Sequence, residues 1–487
     1  MSIKKEITNG VFWGMVSKYS GIVIQLIITA VLARLLSPED FGVIAITTIL
    51  INFFTLFTDM GIGPAIIQSR ELTTADLDSI FSFCIYCGFL QSLIFWGMSR
   101  LIASFFQSEL LVPICRILSI NLLFAACNIV PNALILKNKR FKFIAERTLG
   151  LQVTGGGIAI IAAFNGLEVY SLLIVPVLTA VGTFILNYRQ YPLKIRFYID
   201  KKPLYKIFSY SIFQFLFNLI NYFSRNLDKL IIGKNFNLGE LGYYEKSYRL
   251  MTLPLQNITH VFTPVMHPVL ASLQDNYSEL TNKYNKIIKL LATISFPLGV
   301  FLYFTGEDII MIVYGHKWEA AVPVFQILSL SVPLQMILST TGAIYQSSGK
   351  TKWLFYNGVC NSFCTITGFI IAALYFHDIE AMAWAWTVTL LTNFIVSYFI
   401  LYRIVLKQSV TPIIKSCAIP LLEAICLIGI LWICDIGCIY LPHIIALFFM
   451  TIIALVVSLA IIHFSHQYNL VWVWKRILIN LRQNKHG

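Results

Sequence analysis

Fourteen apolar stretches of about 20 residues run through this chain, each long enough to cross the hydrocarbon core of a bilayer. They lie near 11–33, 41–60, 80–103, 111–134, 144–164, 168–188, 205–232, 243–264, 285–304, 321–345, 353–375, 380–402, 413–434 and 441–463. A backbone in lipid must satisfy its own hydrogen bonds, so each stretch is expected as a helix. The fold class that follows is an all-α integral membrane protein with fourteen transmembrane helices. With 57% hydrophobic and 12% charged residues, little sequence is left for an aqueous domain.

The basic residues give an independent reading of this topology. With the N-terminus in the cytoplasm, twenty-six of the 36 lysines and arginines fall in cytoplasmic segments, and only Arg34, Lys234 and Lys317 fall in outer loops. Both termini are then cytoplasmic. The net charge of +13 is mostly this topological signal together with attraction to anionic lipid headgroups, which argues against nucleic acid as a partner. The tail at 466–487 mixes Trp472, Trp474, Lys475, Arg476 and Arg482, a composition suited to the cytoplasmic interface or to water. The ten cysteines fall mostly within spans, where they pack as small apolar residues; Cys84 and Cys87 have CxxC spacing but no second pair beside them.

Sliding the chain by 200 residues aligns Trp13 with Phe213, Arg34 with Lys234, Asp40 with Glu240, Gly42 with Gly242 and Pro64 with Pro264. Six spans separate the copies, an even number, so both enter the membrane in the same orientation. This predicts two like-oriented six-helix bundles around a central cavity, an N-terminal lobe over 1–190 and a C-terminal lobe over 205–404. A basic linker at 191–204 joins them, and spans thirteen and fourteen at 405–465 lie outside the duplication.

The chemistry concentrates on the first and seventh spans. In the seventh, Ser211, Gln214, Asn218, Asn221, Arg225 and Lys229 form a polar stripe at helical spacing, and Lys18 and Gln25 fall on the matching stripe of the first. A cation costs ~3 kcal/mol at the bilayer centre, so such a stripe is expected to face water or an anion. Arg249 leads a similar stripe on span eight. The competing reading is local neutralisation, with Arg225, Asp228 and Lys229 as one group and Glu245 with Arg249 as another. Asp59, Asp228 and Glu245 are the candidates for coupling to an ion, Asp59 having helix capping as its alternative role. Arg100, Arg116 and Lys246 lie near span ends, where snorkelling accounts for them. Tyr19 and Tyr222 stand beside the stripes, placed to stack on sugar rings or to pack.

Trp13 to Ile44, with Leu35-Leu36-Ser37-Pro38-Glu39-Asp40-Phe41-Gly42 after the first span, then Asp59-Met60-Gly61-Ile62-Gly63 and Lys137-Asn138-Lys139-Arg140-Phe141, resembles the polysaccharide-exporter branch of the multidrug/oligosaccharidyl-lipid/polysaccharide (MOP) flippases, of the Wzx and colanic-acid exporter type. The resemblance implies a bacterial inner-membrane protein that flips an oligosaccharide carried on undecaprenyl pyrophosphate by alternating access, for O-antigen, capsule or exopolysaccharide synthesis. It implies membrane lipids, a polysaccharide polymerase and chain-length machinery as partners. A cationic lumen suits a pyrophosphate headgroup.

No GxxxxGK[ST] and no HExxH motif is present, so no nucleotide or metal cofactor is expected; proton or sodium coupling, membrane potential or product removal is the expected source of energy. Outer loops are short, the longest about Gly306 to Ala320, which leaves no room for a catalytic domain and points away from an enzyme. Two alternatives remain: an organic-cation or multidrug antiporter of the same superfamily, which would want a lumen rich in carboxylates, and a membrane-embedded glycan polymerase.

Overall fold

A computed structural model describes residues 3–59, 61–69, 71–196, 219, 222, 223, 225–271, 273, 274, 276–438 and 440–465. Among them the chain is helical, with no strand. In order the helices are α1 (Ile3–Leu35), α2 (Pro38–Asp59), α3 (Ile62–Gln68), α4 (Thr74–Phe106), α5 (Leu111–Lys137), α6 (Phe141–Phe164), α7 (Ser171–Gln190), α8 (225–235), α9 (Leu238–Ala271), α10 (Tyr277–Phe304), α11 (Gly306–Val313), α12 (Ala321–Ser329), α13 (Val332–Leu338), α14 (Thr341–Ser347), α15 (Thr351–Tyr375), α16 (Ile379–Phe399), α17 (Thr411–Cys438) and α18 (His443–Phe464). Among the described residues eleven helices are long and apolar enough to cross a membrane, or up to twelve if one bent pair counts as a span. The protein is a multi-pass membrane protein.

Two expected spans take a different form. The stretch at 321–345 is not one helix: α12 gives way to α13 and α14, with a bend of 45° between Ala321–Ser329 and Val332–Ser347. Pro333 at the start of α13 has no N–H to continue the ladder, and the hydroxyls of Ser329 and Ser331 donate to the carbonyls of Phe325 and Leu328 at 2.7 and 2.6 Å, bonds that accompany helix bending. The eighth span, expected from 243, belongs to α9, which begins at Leu238 because Asn237 caps it. Most of the seventh expected span, 205–232, lies outside the described residues, as does the tail at 466–487.

The chain divides into two compact units. The first comprises Met1–Glu245, Val313–Trp318 and Ala373–Ile379. In it α5 is packed by α4, α7 and the shorter α2 and α3, while α6 lies between α1 and α7. Gly155 and Gly156 sit where α6 meets Val175 of α7 and Ile28 of α1, the close helix contact that a run of small residues permits. After α7 the linker docks back on α4: the amide of Lys194 donates to Asp78 Oδ1 at 2.9 Å and that of Arg196 to Ser82 Oγ at 2.7 Å. The second unit comprises Lys246–Ile312, Glu319–Ala372 and Glu380–Gly487. Its α10 packs against α17 and α13, and α17 against α18 around Leu427, Leu431, Met450 and Ala454.

Within the first unit the duplication has a direct structural expression. Ser37 caps α2, its Oγ accepting from the Asp40 amide at 3.2 Å while Asp40 Oδ2 accepts from the Ser37 amide at 2.9 Å. Two hundred residues on, Asn237 Oδ1 accepts from the Glu240 amide at 2.7 Å. The two helix starts then cross. A Cβ on Gly42 would lie 1.8 Å from the Leu238 carbonyl oxygen, and one on Gly242 would lie 2.0 Å from the Pro38 carbonyl oxygen. Position 42 of one copy touches position 38 of the other and the reverse, the reciprocity that a two-fold relation requires. Only glycine permits backbones this near. Trp318 packs beside the crossing, fully buried, its Nε1 donating to Ala33 O at 2.9 Å and its ring edge-on to Phe41 and Tyr243.

Candidate functional site

Helices α8 and α9 form an antiparallel hairpin around residues 236 and 237, so side chains equally distant from that turn meet. Lys229 and Glu245 do so, Nζ to Oε2 at 2.5 Å, with Lys229 only 9% exposed. Asp228, next in sequence to Lys229, points elsewhere and is fully buried, its Oδ2 accepting from the Tyr244 hydroxyl at 2.9 Å. This replaces the local pairings expected from spacing. The acid of Lys229 comes from the neighbouring helix, and Glu245 is taken by Lys229 instead of Arg249. The cluster is not fully satisfied, since Asp228 Oδ1 is buried without a hydrogen-bond partner, so the pair fixes the packing of two helices more than it adds net stability.

Arg225, one turn before Lys229, is exposed and makes no ion pair among the described residues; the same holds for Arg249, one turn beyond Glu245 along α9. Lys18 of α1 is half-buried, with its ammonium 5.8 Å from the centroid of the Tyr19 ring. Gln25 is held in a small amide network: its Nε2 donates to Thr29 Oγ1 at 3.3 Å, and its Oε1 accepts at 3.2 Å from Gln152 Nε2, which also donates to the Gly21 carbonyl at 2.9 Å. Gln214, Asn218 and Asn221 lie outside the described residues, and Asp59 closes α2 with its side chain also outside them.

The remaining cations separate by environment. Arg116 lies over the Trp96 ring at 4.6 Å and donates from Nε to Ser99 Oγ at 3.3 Å, a packed arrangement in keeping with a structural role. Arg100 is exposed on α4. Lys246 is not at a helix start: α9 begins eight residues earlier, and the side chain is 7% exposed. Tyr222 is not available to a sugar ring, because its hydroxyl donates to the Ile49 carbonyl and its ring packs on Phe53. Tyr19 is exposed.

Three polar groups were not singled out by sequence. Gln152 escaped because it interrupts an otherwise apolar stretch of span five. Glu423 is 2% exposed inside α17. Arg147, placed by charge counting among the cytoplasmic basic residues, is instead two turns inside α6, where its Nη1 donates to Asn187 Oδ1 and, at 3.5 Å, to Asn132 Oδ1. Asn187, fully buried on α7, passes its own Nδ2 to Asn128 Oδ1 at 2.7 Å. Asn128 and Asn132 are one turn apart on α5, a spacing that could have flagged them.

The family described as "Polysaccharide biosynthesis protein" matches residues 31–323, and the MatE family matches residues 274–374. The teichuronic acid biosynthesis protein TuaB of Bacillus subtilis (strain 168) is 27% identical over 408 residues, covering 83% of this chain and 84% of its own. The lipopolysaccharide biosynthesis protein WzxC of Escherichia coli (strain K12) is 24% identical over 420 residues, covering 84% and 83% respectively. Among solved structures, lipid II flippase MurJ in an inward closed conformation aligns with a TM-score of 0.74 at 16% identity, over 94% of this chain and 99% of that one. An inward-facing multidrug resistance MATE transporter of the MOP superfamily aligns with a TM-score of 0.60 at 15% identity, over 77% and 92%. These likenesses bear out the resemblance drawn from Trp13 to Ile44, Asp59 to Gly63 and Lys137 to Phe141, and the structural ones show a shared fold.

Proposed function

The chain belongs to the polysaccharide biosynthesis protein family, and from that premise we propose that it flips undecaprenyl-pyrophosphate-linked oligosaccharide units across the bacterial inner membrane by alternating access. In this reading fourteen spans form two like-oriented six-helix bundles around a central cavity, the last two helices stand outside them, and both termini are cytoplasmic. The obstacle to crossing is the headgroup, since neither sugar hydroxyls nor a pyrophosphate enters hydrocarbon without partners. Lys18, Gln25, Gln214, Asn218, Asn221, Arg225, Lys229 and Arg249 supply those partners, and no catalytic step is required of the chain. Polymerase and chain-length machinery then act on the product.

The observation that carries this reading is the pairing of Lys229 with Glu245 and of Asp228 with Tyr244, which leaves Arg225 without a counter-charge among the described residues. An arginine in that position offers a bidentate fork to phosphate. Asp228 and Glu245, and Asp59 with them, are the proposed route for ion coupling. Cation antiport is the second reading, favoured by the MatE match over residues 274–374.

The test is flipping by the reconstituted full chain, scored as exposure of a labelled glycan to an external enzyme. Arg225→Ala is expected to slow it by about tenfold or more, the worth of one charge-assisted bond, with membrane insertion unchanged. An undiminished rate would remove Arg225 from the site. Transport of an organic cation, with no glycolipid movement, would replace the reading altogether.

A further inference from the structure

The Arg147 cluster has no part in the site above, and its hydrogen bonding is incomplete in a specific way. Three helices, α5, α6 and α7, converge on one guanidinium; the side chains that accept its hydrogen bonds are neutral amides, Asn132 and Asn187, with Asn128 behind them, and its carbon lies 6.0 Å from the centroid of the Phe143 ring. No carboxylate pairs with it among the described residues. Glu146, its neighbour in sequence, faces away and pairs with Lys142 at 3.6 Å on the exposed side of α6. Among the described residues only Nη1 finds an acceptor, while Nε is buried without a hydrogen-bond partner.

A buried donor left unmatched on a cation that no acid neutralises marks a missing partner. The unused side of the guanidinium, Nε with Nη2, is the edge that takes a phosphate through two parallel hydrogen bonds. Amide oxygens hold the arginine in place without cancelling its charge, whereas a helix pin would be stronger with an aspartate there. We infer that Arg147, held by Asn132 and Asn187, is a phosphate-class anion site within the N-terminal lobe, near the end of α6 that reads as cytoplasmic. The inference rests on the proposed function for one point only, that the anion is the diphosphate headgroup of the lipid-linked substrate.

The discriminating variant is Asn132→Asp, which preserves shape and places a carboxylate beside the guanidinium. A structural pin gains from this change, and an anion site is quenched by it. Binding of undecaprenyl pyrophosphate, inorganic pyrophosphate and undecaprenol is measured by native mass spectrometry on the purified full chain, with thermal unfolding alongside. The expected result is preference for the pyrophosphate lipid over undecaprenol, reduced about tenfold or more by Asn132→Asp while the unfolding temperature holds or rises. Inorganic pyrophosphate competing as well as the lipid identifies a soluble anion as the ligand; weaker but measurable competition identifies the lipid headgroup, and lipid binding with no competition at all overturns the site. Unchanged affinity in Asn132→Asp overturns the site. Arg147→Gln provides the second arm where Asn132→Asp does not fold, and full binding by it is equally fatal. If Arg225→Ala abolishes flipping while both of these variants flip and bind normally, the proposed function stands and this inference alone fails.

Discussion

The hairpin of α1 and α2 and the hairpin of α8 and α9 are copies 200 residues apart, alike at their turns and unlike along their helices. At the turns a polar residue caps the second helix, Ser37 in one and Asn237 in the other, and a glycine five residues later lets each helix meet the other's first carbonyl. Along the helices the first copy carries Lys18 without an acidic partner among the described residues, while the second carries Lys229 bonded to Glu245 and Asp228 bonded to Tyr244. Duplication has kept what the backbone needs and changed what the side chains offer. The junction is common to both hairpins, and the charged side chains are where the two differ.

The largest effect should come from the shared part. Gly42→Val puts side-chain carbon where the Leu238 carbonyl oxygen is 1.8 Å away, and a backbone atom at a helix start cannot retreat as a flexible side chain would. Loss of about 4 kcal/mol or more, seen as failure to accumulate folded protein or a collapse of the unfolding temperature in detergent, is the expected outcome. Gly242→Val should behave alike, its approach to Pro38 O being 2.0 Å. A severe effect at one glycine and a mild one at the other would break the equivalence of the two copies.

A smaller effect, confined to one copy, tests the difference. Glu245→Gln removes the acid of the buried pair with Lys229, which is 9% exposed, and removing one partner of such a pair typically costs about 3 kcal/mol. Exchanging the charges, Lys229→Glu with Glu245→Lys, should recover most of that stability, because the bond runs between two helices of one hairpin. Lys18→Gln has no comparable pair to break among the described residues and should leave stability within about 0.5 kcal/mol of wild type. Equal losses in Lys18→Gln and Glu245→Gln would mean that the first copy conceals a counter-charge of its own.

The same contrast explains what the sequence made legible. Span length is a local property, and the apolar runs at 111–134 and 413–434 reappear within α5 and α17 with little change. The offset of 200 was visible because caps and glycines depend on near neighbours. Partners across a hairpin depend on where its turn lies: starting span eight at 243 instead of 238 puts Lys246 at a helix start, and i,i+4 spacing alone pairs Glu245 with Arg249. Arg147 was assigned by charge counting, which reports the side of the membrane and not depth within a helix. The break at Pro333 was masked because α12, α13 and α14 remain apolar on both sides of it.

The smallest effect bears most closely on whether the two turns form one structure. Ser37→Ala and Asn237→Ala each remove a cap that accepts from the amide three residues on, and each should cost about 1 kcal/mol in thermal unfolding. Independent caps would add, as distant sites do. These caps are not distant in their consequences: Ser37 fixes the start of α2, whose Pro38 carbonyl meets Gly242, and Asn237 fixes the start of α9, whose Leu238 carbonyl meets Gly42. Fraying either start should loosen the contact on which the other depends, so the double variant is expected to depart from the sum of the single ones by about 0.5 kcal/mol or more. Strict additivity would make the crossing a place where two separately built turns happen to touch. A coupling of the expected size would make it one joint, shared by both copies, on which the charged stripes of α1 and α8 are mounted.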